Sequence, residues 1–284
     1  MIAVSLCATM MLTQPDFVSE TNAWRKERET SLMRPNGWLA VAGLFWLKEG
    51  EQTIGSDPKS DIVLPASAPK LAGTIRFTRG VASLAPASGV VVTANGSPIS
   101  GPLKSDADGR PDRVHVGDLT FSVIKRGKRT GLRLWDPNSK ARREFVGCKW
   151  FAPDQALVVT AKFVAHSPVR TIPILTILGD TEPTANPGYV EFTLKGRRHR
   201  LEALAEGDGL FFNFKDRTSG KETYPAGRFL NADGPKDGKV VLDFNQAVNP
   251  PCAFTAFATC PLPPKGNSLS VRIPAGELST HPVH

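Results

Sequence analysis

Short alternations of apolar and polar residues, each closed by a turn signal, run through this chain from Glu51 to Gly276. Thr74-Ile75-Arg76-Phe77-Thr78 and the stretch Leu119 to Lys125 place apolar side chains at every second position, the period of a strand with one buried face. The punctuation is dense: 25 glycines and 24 prolines break helices and set turns. Asn95-Gly96 signals a tight hairpin, and Asn186-Pro187-Gly188, Gly207-Asp208-Gly209 and Lys236-Asp237-Gly238 separate later runs. A chain divided in this way folds mainly as β. QTIGS, DIVL, GTIRFTRG, VASLAP, GVVVTANG, LTFSVIKRG and TGLRLWD predict a first set of strands over residues 50–144. From Phe145 a second set follows, LVVTAKFVAH through RTIPILTILG, GYVEFTLKG, RHRLEALAE, LFFNFKD, GRFLNAD, KVVLDFN and SLSVRIPAG. About seven antiparallel strands over residues 145–278 are expected to close into a barrel or pack as a sandwich.

A helix is expected ahead of the strands, over Ser19 to Met33, with Ser19 as N-cap and Val18 stapling against Ala23. Trp24 and Leu32 share its buried side, the charged run Arg25 to Glu29 is solvated, and Pro35-Asn36-Gly37 ends it. Trp38 to Leu47 reads as an apolar core plug that completes a segment of residues 19–49. Residues 1–18 read as a disordered or remnant leader and residues 279–284 as a tail. The leader is apolar but lacks a basic start, so a cytoplasmic location is expected. Export through a truncated or mis-set N-terminus is the alternative. No apolar run reaches bilayer-spanning length.

The formal net charge is +8, and much of it comes from KRGKRTGLRLWDPNSKARR, Lys125 to Arg143. Clustered cations neutralise phosphates, but Gly127 and Gly131 interrupt this run and only Trp135 offers a stacking ring. It reads as a hairpin with a solvated basic face rather than a nucleic-acid surface. There is no Walker loop, dinucleotide fingerprint, HExxH, GxSxG or paired CxxC. Their absence argues against P-loop hydrolysis, dehydrogenase chemistry and common zinc-peptidase chemistry, and no cofactor or metal is expected.

Polar residues concentrate late in the chain. In FNFKDRTSGKETYPAGRFL, Asp216 is placed to accept backbone N–H groups in a turn. Tyr224 and Arg228 offer a hydroxyl and a planar fork for an anionic ligand, with an Arg228–Asp243 ion pair as the structural alternative. In DFNQAVNPPCAFTAFATCPLPP, five prolines stiffen the loop, Asp243 and Asn245 share a side, and Asn249 fastens the chain before Cys252. Cys252 and Cys260 read first as free, buried thiols. A disulfide, part of a metal site, or a catalytic thiol served by His166 or His199 stand as alternatives. Asp243, Cys252 and Glu277 are the catalytic candidates. Asp216, Tyr224, Arg228, Asp243, Asn245, Asn249 and Cys252 are the ligand-binding candidates.

Two resemblances accompany this reading. Ile54-Gly55-Ser56-Asp57-Pro58, Asn95-Gly96-Ser97-Pro98-Ile99 and Val116-Gly117-Asp118-Leu119-Thr120-Phe121 resemble the frame of a forkhead-associated β-sandwich. Ser56 stands where that family has an arginine, and its serine and histidine pair is missing, so the resemblance implies the sandwich without phosphothreonine binding. The blocks WRKERETSLMRPNGWLAVAGLFWLKEGEQTIGSDPKSDIVLP, FNFKDRTSGKETYPAGRFL and DFNQAVNPPCAFTAFATCPLPPKGN resemble a bacterial and archaeal family of unknown function, DUF1684. That resemblance spans roughly Trp24 to Glu277. It implies a common fold and no activity, with characteristic polar positions at Asp216, Thr218, Gly220, Tyr224, Arg228, Asp243, Asn245, Asn249, Cys252, Cys260 and Asn267. Val248 and Phe257 depart from its pattern, where aromatic residues with hydroxyl groups are usual.

These readings lead to a small-molecule or peptide binding protein with a polar pocket in its C-terminal β half. The alternatives are a hydrolase using paired carboxylates or the thiol, and an interaction module working through the forkhead-like half.

Overall fold

The computed structural model describes residues 16–279. Cys7, His281, His284 and most of the expected leader and tail lie outside the described residues. The helix α1 covers Phe17–Met33 and starts earlier than expected, because Asp16 rather than Ser19 caps it: Asp16 Oδ1 accepts the Ser19 N–H at 2.8 Å. It ends before Pro35, which cannot continue a helix.

The first strands are β1 (Val41–Trp46), β2 (Gly50–Gly55), β3 (Ile62–Val63), β4 (Gly73–Thr78), β5 (Val81–Pro86), β6 (Val92–Ala94), β7 (Ser97–Pro98), β8 (Val114–Val116), β9 (Leu119–Arg126) and β10 (Arg129–Trp135). They form one sheet in the order β1-β10-β9-β8-β6-β7 and another in the order β3-β2-β4-β5. Alternate residues of both sheets, among them Ile54, Ile75, Leu84, Phe121, Val123 and Leu132, meet in one apolar core. The Asn95-Gly96 turn joins β6 to β7, with both residues at positive φ, 53° and 83°, which matches the right-handed twist of paired strands. Trp38 to Leu47 is not only a plug. A single helical turn, Trp38–Ala40, leads into β1, the edge strand beside β10.

The second part holds β11 (Val158–Leu175), β12 (Thr181–Leu194), β13 (Arg197–Glu206), β14 (Gly209–Phe214), β15 (Arg228–Ala232) and β16 (Lys239–Asp243). Two expected strands, LVVTAKFVAH and RTIPILTILG, are joined in the single long β11. The sheet runs β15-β14-β13-β12-β11-β16 and curls into a half-barrel. The antiparallel curl is the expected barrel in half form, and SLSVRIPAG joins none of its ladders. That segment still alternates: Leu269, Val271, Ile273 and Ala275 enter the core inside the curl, against Val190, Phe212, Phe214 and Phe244. Its backbone bonds go to a loop instead, with the Leu269 N–H donating to the Lys215 carbonyl and the Arg217 N–H to the Val271 carbonyl.

Helix α1 packs on this second part. Arg25 is buried, against the expectation of a solvated face. It donates to the Phe151 carbonyl at 2.9 Å and lies over the Trp150 ring. Glu29 accepts from the Cys148 N–H and from Trp150 Nε1. Among the described residues no helix is long and apolar enough to cross a membrane.

Candidate functional site

The polar block of the second part is largely internal. Arg228 is fully buried, and its guanidinium meets Asp216 at 3.1 Å and donates to the Ile273 and Ala275 carbonyls. Asp216 also accepts the Thr218 hydroxyl at 2.5 Å and the Ile273 N–H at 2.6 Å. The expected partner Asp243 is engaged elsewhere, capping the turn Phe244–Gln246 through the Asn245 N–H. Asn245 clasps Asp154 in both directions, accepting its N–H at 2.8 Å and donating to its carbonyl at 2.9 Å. Arg228, offered from the sequence as a ligand contact, is therefore shut away from solvent by the chain it holds. Tyr224 donates to the Cys252 carbonyl at 3.1 Å.

Asn267 shows why such residues are needed. The β13–β14 ladder ends at the Leu204–Phe211 pair. Beyond it the Asn267 amide enters, accepting the Glu202 N–H at 2.7 Å and donating to the Glu202 and Asn213 carbonyls, each at 3.0 Å. A side chain thus replaces a strand partner where the sheet splays, since buried backbone groups must be paired.

The carboxylate candidates do not gather. Glu277 is fully buried beneath Asn249, whose backbone N–H and side-chain Nδ2 donate to its two oxygens at 3.1 and 2.9 Å. Burial pushes the Glu277 carboxyl above its ordinary value, with Arg28 at 3.9 Å acting against that. Asp243 is held in the separate clasp with Asn245. His166 stands beside Glu202 and Tyr189, and His199 against Phe192. Among the described residues no group of three or more His, Cys, Asp or Glu could hold a metal ion. Cys252 and Cys260 are free thiols, with the Cys252 N–H donating to Cys260 Sγ at 3.2 Å.

The accessible space lies elsewhere, between the two parts of the molecule. The outer face of β13–β15 carries Leu204, Phe211 and Phe229, the last two edge-to-face at 4.8 Å between ring centres. Facing them are Trp38 and, farther along, Trp24 and Arg28 of α1. The cleft has a lobe of about 540 Å³ under α1, bordered by Asn249. A second lobe of about 360 Å³ reaches Arg133 and Cys260. Trp38, Glu206, Phe211, Phe229, Pro251 and Pro261 line both. Asp243 borders a third groove, of about 700 Å³, along the open seam between β15 and β16.

Arg133 differs from Arg25, the other buried arginine without an ion pair among the described residues, in lining the cleft. It is 6% exposed and forms no ion pair among the described residues. It donates to Thr259 Oγ1 at 3.2 Å and lies over the Trp38 ring at 5.0 Å, while its Nε has no partner. Burial, helped by nearby Arg126, lowers its value to about 10. Arg126, by contrast, is paired with Asp106 at 2.6 Å, and Arg129 is paired with Asp180. Lys128, Lys140 and Arg143 of the basic run are exposed, as a solvated face requires, and Arg133 alone of its cations is buried. Sequence reasoning missed Arg133, Trp38, Phe211 and Phe229. The alternation of β10 puts Arg133 opposite Leu132 and Leu134, which reads as solvent, and only the docking of the second part buries it.

A sequence model of a family described as protein of unknown function (DUF1684) matches residues 143–278, a shorter reach than the resemblance from Trp24 implied. The solution NMR structure of an uncharacterized protein of Haloarcula marismortui is 32% identical, over 49% of this chain and 81% of that one, with a TM-score of 0.42. No curated protein matches.

Proposed function

The chain belongs to the family described as protein of unknown function (DUF1684), and since that name assigns no chemistry, we propose from the geometry that it binds a small organic anion with an aromatic or otherwise planar body. The carboxylate or equivalent group meets Arg133, and the body lies between Trp38 and the Phe211–Phe229 pair. One observation carries this reading: Arg133 is a buried guanidinium without an acidic partner that borders a cleft. A buried charge costs several kcal/mol, of that order, unless it is paired, and a ligand anion supplies the missing partner. Planar bidentate recognition of carboxylates is what a guanidinium does well. The wall combines Trp38, Leu204, Phe211 and Phe229 with the polar Arg126, Glu182, Thr184, Glu206 and Thr259, an apolar surface with placed polar groups such as small-molecule sites use; the two carboxylates confine an anion to the Arg133 end.

The polar candidates act behind this site. Asn249 and Arg28 border the larger lobe, with the Arg28 Nη2 donating to the Asn249 carbonyl at 3.2 Å. Asn249 Nδ2 faces two acceptors, Glu277 and Leu278, so its amide orientation is fixed and its buried Oδ1 is left without a donor. That oxygen suits a hydroxyl or amine on the far end of a ligand.

The test uses benzoate and its neutral analogue benzamide, followed by NMR of the indole N–H groups. Benzoate is expected to shift the Trp38 resonance saturably and benzamide to bind at least about tenfold more weakly, equivalent to about 1.4 kcal/mol. Equal binding of the two, or shifts confined to residues away from Trp38, contradicts the reading.

A further inference from the structure

The cysteines of the described chain sit in two different settings. Cys148 is half-buried against Glu277, and burial together with that carboxylate pushes its thiol up, which leaves it unreactive. Cys252 and Cys260 are neighbours instead. Cys252 stands in the single helical turn Pro251–Ala253, and its N–H reaches Cys260 Sγ at 3.2 Å. The Tyr224 hydroxyl donates to the Cys252 backbone carbonyl at 3.1 Å and so fixes the turn that carries this thiol. Pro250 and Pro251 before the first thiol, and Pro261, Pro263 and Pro264 after the second, hold this spacing. Cys252 is half-buried, while Cys260 is buried, on the wall of the Arg133 lobe.

We propose that Cys252 and Cys260 form a reactive dithiol that reduces small hydroperoxides, with Cys252 attacking and Cys260 resolving. The Cys252 thiolate attacks the distal peroxide oxygen. An S–O bond forms, the O–O bond breaks, and water or an alcohol leaves with one proton. The Cys260 sulfur then attacks the resulting sulfenic acid, the S–S bond forms, and the S–O bond breaks to release water. Two thiols lose two electrons, and the peroxide gains them. The neighbouring Cys260 and the Tyr224 hydroxyl lower the Cys252 thiol to about 7, against the effect of burial, so part of it is thiolate at neutral pH. The adjacent Cys252, with burial, pushes Cys260 up and keeps its proton in place until resolution. This inference does not rest on the anion reading, since neither step uses Arg133.

The test treats the full-length protein with hydrogen peroxide, blocks remaining thiols with iodoacetamide and maps the peptides by mass spectrometry. A Cys252–Cys260 linked peptide, lighter by two hydrogens, is expected while Cys148 stays alkylatable. Before oxidation, alkylation of Cys252 should rise with pH through about 7 and exceed that of Cys148 at least about tenfold at neutral pH. In Cys260→Ser, dimedone should trap a sulfenic acid on Cys252. If both thiols stay alkylatable after peroxide has oxidised free cysteine, or if Cys252 links instead to another chain, the proposal is overturned. The wild-type peptide map decides this even where the serine variant does not fold.

Discussion

Arg228 and Arg133 are both buried guanidinium groups, one in each part of the molecule, and their surroundings treat them oppositely. Arg228 meets Asp216 and two carbonyls, and Asp216 in turn holds the Ile273 N–H. Every link in that set ends on the same chain, so the set builds the fold. Arg133 has a threonine hydroxyl and an indole face, and among the described residues no carboxylate within ion-pair distance, Asp106 acting on it only at longer range. Burial of a charge is tolerable when it is paired. The first residue is therefore a structural rivet, and the second is a group kept available. The same contrast runs through the two cores. The N-terminal sandwich is filled by apolar side chains from two ladders. The half-barrel core is rimmed by buried Asn213, Asp216, Thr218, Thr223, Arg228, Asn245, Asn249, Asn267 and Glu277, because residues 244–279 cross it without forming a strand.

The largest effect that would break this comparison concerns Arg228. Arg228→Ala leaves Asp216 buried and unpaired, and urea unfolding should show a loss of about 3–5 kcal/mol. The double change Asp216→Asn with Arg228→Met should cost less than Arg228→Ala alone, and a loss under about 1 kcal/mol for the single change would deny the rivet role. Asn267→Ala comes next, at about 1–3 kcal/mol, because the Glu202 and Asn213 backbone groups lose their partner. Hydrogen exchange should quicken where β13 and β14 splay.

Glu277 gives a pH test. Its folded value lies above its unfolded value near 4.5 because the carboxyl is buried. Its contribution to stability is thus complete below that value and is lost as pH rises through the folded value. Denaturant unfolding of wild type, compared with Glu277→Gln, should show a difference that falls as pH rises above about 4.5; a flat difference would place the carboxyl outside the core network. The smallest effect belongs to the sandwich surface. Arg76 pairs with Glu51 at 2.5 Å with both side chains exposed, so Arg76→Ala should change stability by less than about 1 kcal/mol.

The ladders were legible because alternation and turn chemistry are local. Ile75 and Phe77 point inward and Arg76 outward, as their spacing requires. Even Leu269, Val271 and Ile273 alternate correctly, though their segment bonds to a loop. Sequence could not separate a polar group that lines a pocket from one that satisfies a backbone, and the late polar block was read as the former. Five prolines within residues 243–264 carry no N–H and weaken any ladder there, which is a signal that neighbouring side chains must serve the backbone. Asn213 donating to the Pro261 carbonyl at 2.7 Å is one result. Arg133 was illegible for a different reason: the face of β10 that bears it is covered by residues more than a hundred positions away, such as Thr259.

Calorimetric titration of benzoate into wild type, Arg133→Met and Arg228→Met, with the melting temperature of each, tests the contrast most directly. The account predicts that Arg133→Met loses at least about tenfold in affinity, about 1.4 kcal/mol, yet melts no lower than wild type, while Arg228→Met melts far lower. If Arg133→Met binds benzoate as wild type does, or is destabilised as severely as Arg228→Met, Arg133 is a second rivet and the cleft has lost its anion.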